Sequence, residues 1–147
     1  MTIEVDQNNL HDIYLAGGCF WGVEEYFSRI PGVASSESGY ANGTTDNPSY
    51  QEVCTNATGH AETVHVAYDP NIVSLTTLLR QYFKIIDPLS LNRQGNDRGT
   101  QYRTGVYYVD EEDLPVIQAV FDEVQAGLDA PMVVELEPLT NIWLAED

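Results

Sequence analysis

The stripe formed by Leu75, Leu78, Leu79, Tyr82, Phe83 and Ile86 constrains the fold of this chain most. Six apolar side chains at three- and four-residue spacing cover one side of a helix, and Ser74 ahead of them can accept a hydrogen bond from a first-turn N–H. An apolar stripe this wide must be buried against another layer. The segment before it supplies one. Thr63-Val64-His65-Val66-Ala67-Tyr68 alternates, with Val64, Val66 and Tyr68 on one face, and Asp69-Pro70-Asn71 closes the strand.

The same two periods recur along the chain. Asp12 to Ala16 reads as a strand, Val23, Tyr26, Phe27 and Ile30 as a helical face, and Val33 to Tyr40 as a second strand. After the Leu75 helix, Gly105 to Val109 reads as a strand, Leu114, Ile117, Phe121 and Val124 as a helix, and Met132 to Leu136 as a last strand. This order contains a β-α-β-β-α-β unit. The expected fold is α+β, a ferredoxin-like two-layer α/β sandwich with a largely antiparallel sheet and helices on one face, although periodicity does not fix the strand order and leaves other α+β arrangements open. Long irregular loops are expected at 41–60 and 88–103, and segments of that length are functional or partly structured.

Composition narrows the partners. A chain of 147 residues with 43% hydrophobic content fits one domain spanning 1–147. Six basic residues against 23 acidic ones give a formal net charge of −17, which repels nucleic acid and anionic membranes. The acidic residues are dispersed, as on a solvated surface. Met1 to Asp6 has neither the basic start nor the apolar run of a signal peptide, and no run approaches the roughly 18 apolar residues of a membrane span. A soluble cytoplasmic protein is expected. Cys19 and Cys54 are too few for a disulfide scaffold and too far apart for a C-x-x-C motif.

The run Gly17-Gly18-Cys19-Phe20-Trp21-Gly22 puts a thiol where a strand ends and a helix begins. A lone cysteine is more often core than catalyst. A packing cysteine, however, needs neither a double glycine before it nor a Phe-Trp pair after it. The glycines permit a sharp turn and leave the thiol approachable, and Cys19 is expected in the first helical turn, where unpaired N–H groups favour a thiolate.

Such a nucleophile needs a proton partner. His65 lies on the face of its strand opposite Val64 and Val66, expected to be solvated, and His11 has no neighbour of use. Gly59-His60-Ala61-Glu62 leaves a loop and enters a strand, and Glu62 shares the parity of Val64 and Val66, so it points inward. An inward glutamate without a basic partner stays protonated and can act as a general acid. His60-Ala61-Glu62 also begins a zinc-deaminase signature, but the P-C-x-x-C that must follow is missing and no metal is expected. A papain-like arrangement fails because no histidine follows His65.

Gly17 to Gly22, Tyr50, Gly59-His60-Ala61-Glu62 and Asn96-Asp97-Arg98-Gly99-Thr100-Gln101-Tyr102-Arg103 together closely resemble the methionine sulfoxide reductase A family, over about Ile13 to Asp147. The resemblance implies that Cys19 attacks the sulfur of the S epimer of methionine sulfoxide, free or in peptides. Glu62 then protonates the departing oxygen with help from Tyr50 and Tyr102. Phe20 and Trp21 enclose the S-methyl group, and Asp97 joins the polar network near the thiol. It also implies no bound cofactor, since the thiol supplies the electrons and becomes a sulfenic acid. An external thiol, thioredoxin or a small dithiol, restores it, and oxidised proteins are the substrates to be repaired.

The chemistry is coherent with these roles. A sulfoxide oxygen leaves poorly unless protonated, so Glu62 must begin neutral, and an ionised Glu62 would disfavour the Cys19 thiolate. Many family members continue past an Ala-Glu-Asp stretch into a tail with resolving cysteines, whereas this sequence ends at Ala145-Glu146-Asp147. Either the chain is truncated there, or an external thiol reduces the sulfenic acid directly; Cys54 is the internal alternative, with packing its expected role. Two rival readings are a non-catalytic methionine-binding module and a thiol peroxidase.

Overall fold

The structure, a computed structural model, describes residues 5–45, 48–54, 58–95 and 97–145. The expected α+β alternation is present: β1 (His11–Gly17), α1 (Phe20–Ser28), β2 (Val33–Ala41), α2 (Tyr50–Cys54), β3 (Ala61–Tyr68), α3 (Leu75–Ile85), β4 (Arg93–Gln94), β5 (Asp97–Arg98), β6 (Thr104–Tyr108), α4 (Leu114–Ala126), β7 (Glu135–Pro138) and β8 (Ile142–Leu144). Short 3₁₀ turns span Thr100–Tyr102 and Glu111–Asp113.

Six strands form one sheet in the order β7-β6-β1-β3-β2-β8. β6 and β7 run parallel, and the other neighbours pair antiparallel. β3 lies between β1 and β2, with Leu15 opposite Val64 and Tyr40 opposite Glu62. It is therefore covered on both sides. Val64, Val66 and Tyr68 join Ile13, Leu15 and Val106 on the face that meets Phe20, Val23 and Phe27 of α1, the Leu75–Tyr82 stripe of α3 and Ile117 of α4. Burial of these side chains is the main force holding helices to sheet. Ser74 caps α3 as expected, its hydroxyl accepting from the Thr77 N–H at 3.1 Å.

The second face carries Ala16, Ala41, Ala61 and Tyr107 beneath Leu139 and Ile142. His65 lies on this face but is not fully solvated: its ring stacks on Tyr14 at 4.6 Å, and its Nε2 lies 2.7 Å from Asp12 Oδ1. Several boundaries also differ from the expectation. The strand expected at Met132–Leu136 is β7, three residues later, because hydrogen bonds to β6 begin only at Glu135. Residues 41–60 contain helix α2, and residues 88–103 contain the β4–β5 hairpin and a 3₁₀ turn rather than uniform loop. β8 carries no strong period of its own and exists by pairing with β2.

Candidate active site

Cys19 is exposed and occupies the N-cap of α1, one residue before the helix rather than inside its first turn. Its φ of −61° and ψ of 112° are extended, and its carbonyl accepts from Val23 N–H at 3.4 Å. The turn into it depends on Gly18, whose φ of +88° disfavours any side chain. The glycines are not open space, contrary to expectation. A Cβ on Gly18 would lie 2.7 Å from Gln94 Cβ, and one on Gly17 would lie 2.8 Å from Ile86 Cγ2. They let the β4–β5 hairpin and the end of α3 close against the backbone that presents the thiol. Gln94 secures that hairpin, its amide accepting from Asp87 N–H (2.8 Å) and donating to Asp87 O (3.1 Å).

Glu62 points inward as its parity requires and is 1% exposed. Its Oε1 accepts from the Phe20 N–H at 3.4 Å, which brings a buried carboxyl to the residue next to Cys19 at the start of α1. Phe20 is buried, whereas Trp21 is 41% exposed; their rings lie 4.6 Å apart, forming an apolar wall with one side open to solvent. Tyr50 is also exposed, and its hydroxyl is hydrogen-bonded to Tyr102 and to the Cys54 thiol. The Tyr102 bond favours the Tyr50 phenolate, but the Cys54 bond, burial and the charges of Cys54 and Glu62 outweigh it and push the phenol upward. α2 and the Thr100–Tyr102 turn thus bring two hydroxyls together, and Tyr50 lies within the electrostatic reach of Glu62.

Tyr40 belongs to this cluster and was not singled out by sequence. It lies opposite Glu62 in the β2–β3 pair, 5.4 Å ring to ring from Phe20. Burial first, then the charges of Glu62, Tyr50 and Cys54, push its phenol up to about 12. It therefore keeps its proton at neutral pH. Only strand pairing could have revealed it, since Tyr40 and Glu62 are 22 positions apart. The side chain of Asp97 lies outside the described residues; its backbone pairs with Gln94 in the hairpin. Cys54 is partly exposed at the end of α2.

His60, two residues before Glu62 in the motif, is held by the loop that carries Gly43 and Thr45. It is 1% exposed, its Nε2 lies 2.7 Å from Thr45 O, and its ring fills the space a Gly43 Cβ would need. Among the described residues, no three His, Cys, Asp or Glu side chains are grouped to hold a metal, and no helix is long and apolar enough to cross a membrane.

The arrangement is an exposed thiol at a helix N-cap with a buried carboxyl one peptide away, an aromatic wall and two paired tyrosines. The profile of the family described as "Peptide methionine sulfoxide reductase" matches residues 11–147. The curated "Peptide methionine sulfoxide reductase MsrA" of Lachnoclostridium phytofermentans is 54% identical over 135 residues, 92% of this chain and 81% of the relative. Among solved structures, reduced Mxr1 from Saccharomyces cerevisiae superposes with a TM-score of 0.90 at 35% identity, covering 99% of this chain and 85% of that one. Mxr1 in complex with Trx2 superposes with a TM-score of 0.70 at 26% identity, over 97% and 85% of the two chains. This chain belongs to the peptide methionine sulfoxide reductase family.

Proposed function

We propose that this protein reduces the S epimer of methionine sulfoxide, free or in peptides, to methionine, with Cys19 as nucleophile and Glu62 as general acid. The observation that carries the reading is the Glu62 Oε1 bond to the Phe20 N–H, which brings a buried acid to the peptide unit following an exposed thiol. Burial disfavours a carboxylate, so Glu62 starts protonated, and an acid held neutral at a nucleophile is a donor by design. The Cys19 sulfur attacks the sulfoxide sulfur while Glu62 delivers a proton to the oxygen. The S–O bond to methionine breaks, the oxygen passes to Cys19 as a sulfenic acid, and the methionine sulfur regains an electron pair. The thiol has lost two electrons and the sulfoxide has gained two.

The Tyr50 and Tyr102 hydroxyls share the hydrogen-bonding of the departing oxygen, and Tyr40 keeps the far side of Glu62 apolar and uncharged. Phe20 and Trp21 hold the S-methyl group, and Asp97 completes the polar surroundings of the thiol. No organic or metal cofactor enters the cycle. A thioredoxin-type dithiol recycles Cys19, a role consistent with the Mxr1–Trx2 complex and with the reducing cytoplasm as its setting. Residues 1–147 act as one catalytic domain, and the order β6-β1-β3-β2 supports a ferredoxin-like core in a largely antiparallel sheet, extended at its edges by β7 and β8.

The decisive experiment mixes reduced protein with one equivalent of each sulfoxide epimer, without reductant, and follows methionine release and a single-oxygen adduct on Cys19. Only the S epimer should react, and Cys19→Ser should be inert. Glu62→Ala should slow the reaction by roughly 10²- to 10⁴-fold, with Glu62→Gln retaining part of the rate because an amide still donates. Equal use of both epimers, or wild-type rates for Glu62→Ala, contradicts the mechanism.

A further inference from the structure

We infer that Arg103 and Glu135 are positioning residues for Tyr102: a carboxylate on β7 holds the Arg103 guanidinium, and the guanidinium fixes the turn that presents the Tyr102 hydroxyl to Tyr50. This rests on the reaction proposed above and adds two residues to it. Thr100–Tyr102 is a single 3₁₀ turn, entered from Gly99 at a φ of +137° and left through an extended Arg103. Its backbone bonds run from Tyr102 N–H to Gly99 O (3.0 Å) and from Arg103 N–H to Thr100 O (3.2 Å). So short a turn has little stability of its own and needs support from outside.

Arg103 supplies that support. Its Nη1 donates to the same Thr100 O at 3.0 Å, while its Nε donates to Glu135 Oε1 at 2.7 Å, so one rigid, planar fork joins the turn to β7. Glu135 is itself fixed. It lies opposite Gly105 in the parallel β6–β7 pair, and its Oε1 also accepts from the Tyr107 hydroxyl at 2.7 Å. Gly105 leaves room for that bond, since a Cβ there would lie 2.8 Å from the Tyr107 hydroxyl oxygen. The other two arginine ion pairs among the described residues, Arg29–Glu25 and Arg80–Glu123, are solvent-exposed. Arg103–Glu135 is part-buried, where water and salt screen it less and its geometry is kept. The partner hydroxyl, by contrast, belongs to Tyr50, exposed on the five-residue α2. The alignment of the pair therefore depends on the Tyr102 side.

The test reads two quantities on the reduced protein. The first is the single-turnover rate on saturating methionine sulfoxide, without reductant, in a Tyr50→Phe background that leaves Tyr102 as the remaining hydroxyl of the pair. There Glu135→Ala should slow the reaction by about 10-fold, and Glu135→Gln, whose amide oxygen still accepts, by about 3-fold. With Tyr102→Phe added, Glu135→Ala should change the rate by less than about 2-fold, because the group it positions is gone. The second is amide hydrogen exchange: residues 99–104 should exchange about 10-fold faster in Glu135→Ala while α3 keeps its protection. Tyr107→Phe removes a bond to the same Oε1 but leaves the Arg103 contact, so it should lower the unfolding midpoint without changing the rate or the exchange of the turn. If Glu135→Ala fails to fold, Arg103→Lys, which keeps the charge but not the fork, carries the same comparisons. An equal loss in both backgrounds, no loss in either, unchanged exchange of the turn, or a Tyr107→Phe rate loss matching that of Glu135→Ala would each overturn the inference while leaving the reaction standing. Absence of turnover by the wild type on every sulfoxide would overturn the reaction, and the exchange measurement alone would then decide whether the pair holds the turn.

Discussion

Tyr82→Phe tests how the strand that delivers Cys19 is held. Tyr82 of α3 is fully buried, and its hydroxyl donates to Ala16 O at 2.5 Å and accepts from Gly105 N–H at 3.0 Å. Ala16 and Gly105 face each other across β1 and β6, three residues before Cys19 and within three of Tyr102. Removing one oxygen leaves the packing volume almost unchanged and orphans one buried acceptor and one buried donor. Each costs about 1–3 kcal/mol, offset in part because the hydroxyl itself no longer has to be desolvated, for a net loss of about 2–4 kcal/mol. Urea unfolding of the reduced protein reads this directly: with a slope of about 2 kcal/mol per M, the midpoint should fall by about 1–2 M at constant slope. Tyr26→Phe is the control. That hydroxyl bonds Gln81 Oε1 in a part-buried setting where water can substitute, so the loss should stay under about 1 kcal/mol. Equal midpoints for the two variants would refute the view that Tyr82 ties β1, the strand leading to Cys19, to β6.

Two further outcomes follow from local geometry. Gly43→Ala places a methyl 2.3 Å from His60 Cγ, inside a ring held by its contact with Thr45 O, and should lower stability by about 1–3 kcal/mol in a thermal melt. His60→Ala should relieve that penalty in the double variant, and purely additive losses would place the strain elsewhere. Ser74→Ala removes the cap of α3 and should cost about 1 kcal/mol, measured by denaturant midpoint, whereas Ser74→Asp should restore it.

What was legible in the sequence divides by the kind of force involved. Strands β1, β3 and β6 and helices α1, α3 and α4 carry their own periodicity, because each buries a face that must be apolar at a fixed spacing, whereas the serines of β2 blur its pattern. Glu62 was placed by the same logic, through its parity with Val64 and Val66. β8 was not legible: it is three residues long, and its pairing with β2 is a tertiary event with no local signature. The role of the two glycines was half legible. Their need for an unusual turn shows in the residue type, but the side chain of Gln94 that fills the space above Gly18 arrives from 76 positions away. α2 was missed because five residues are too few to display a helical period.

The site arises from the row the sheet builds across three strands. Glu62 on β3 lies opposite Tyr40 on β2, and Tyr40 lies opposite Trp143 on β8. A side chain at each register position shares one face, so the acid has a phenol and then an indole extending away from it toward the sheet edge. None of these can carry positive charge. A basic residue at position 40 would stabilise the Glu62 carboxylate and, in the reaction proposed above, deprive the sulfoxide oxygen of its proton donor. Tyrosine instead adds bulk that excludes water and a hydroxyl that keeps its proton, since burial and the neighbouring acid both oppose its ionisation. The buried carboxyl therefore lies at the end of an aromatic row assembled from antiparallel pairing.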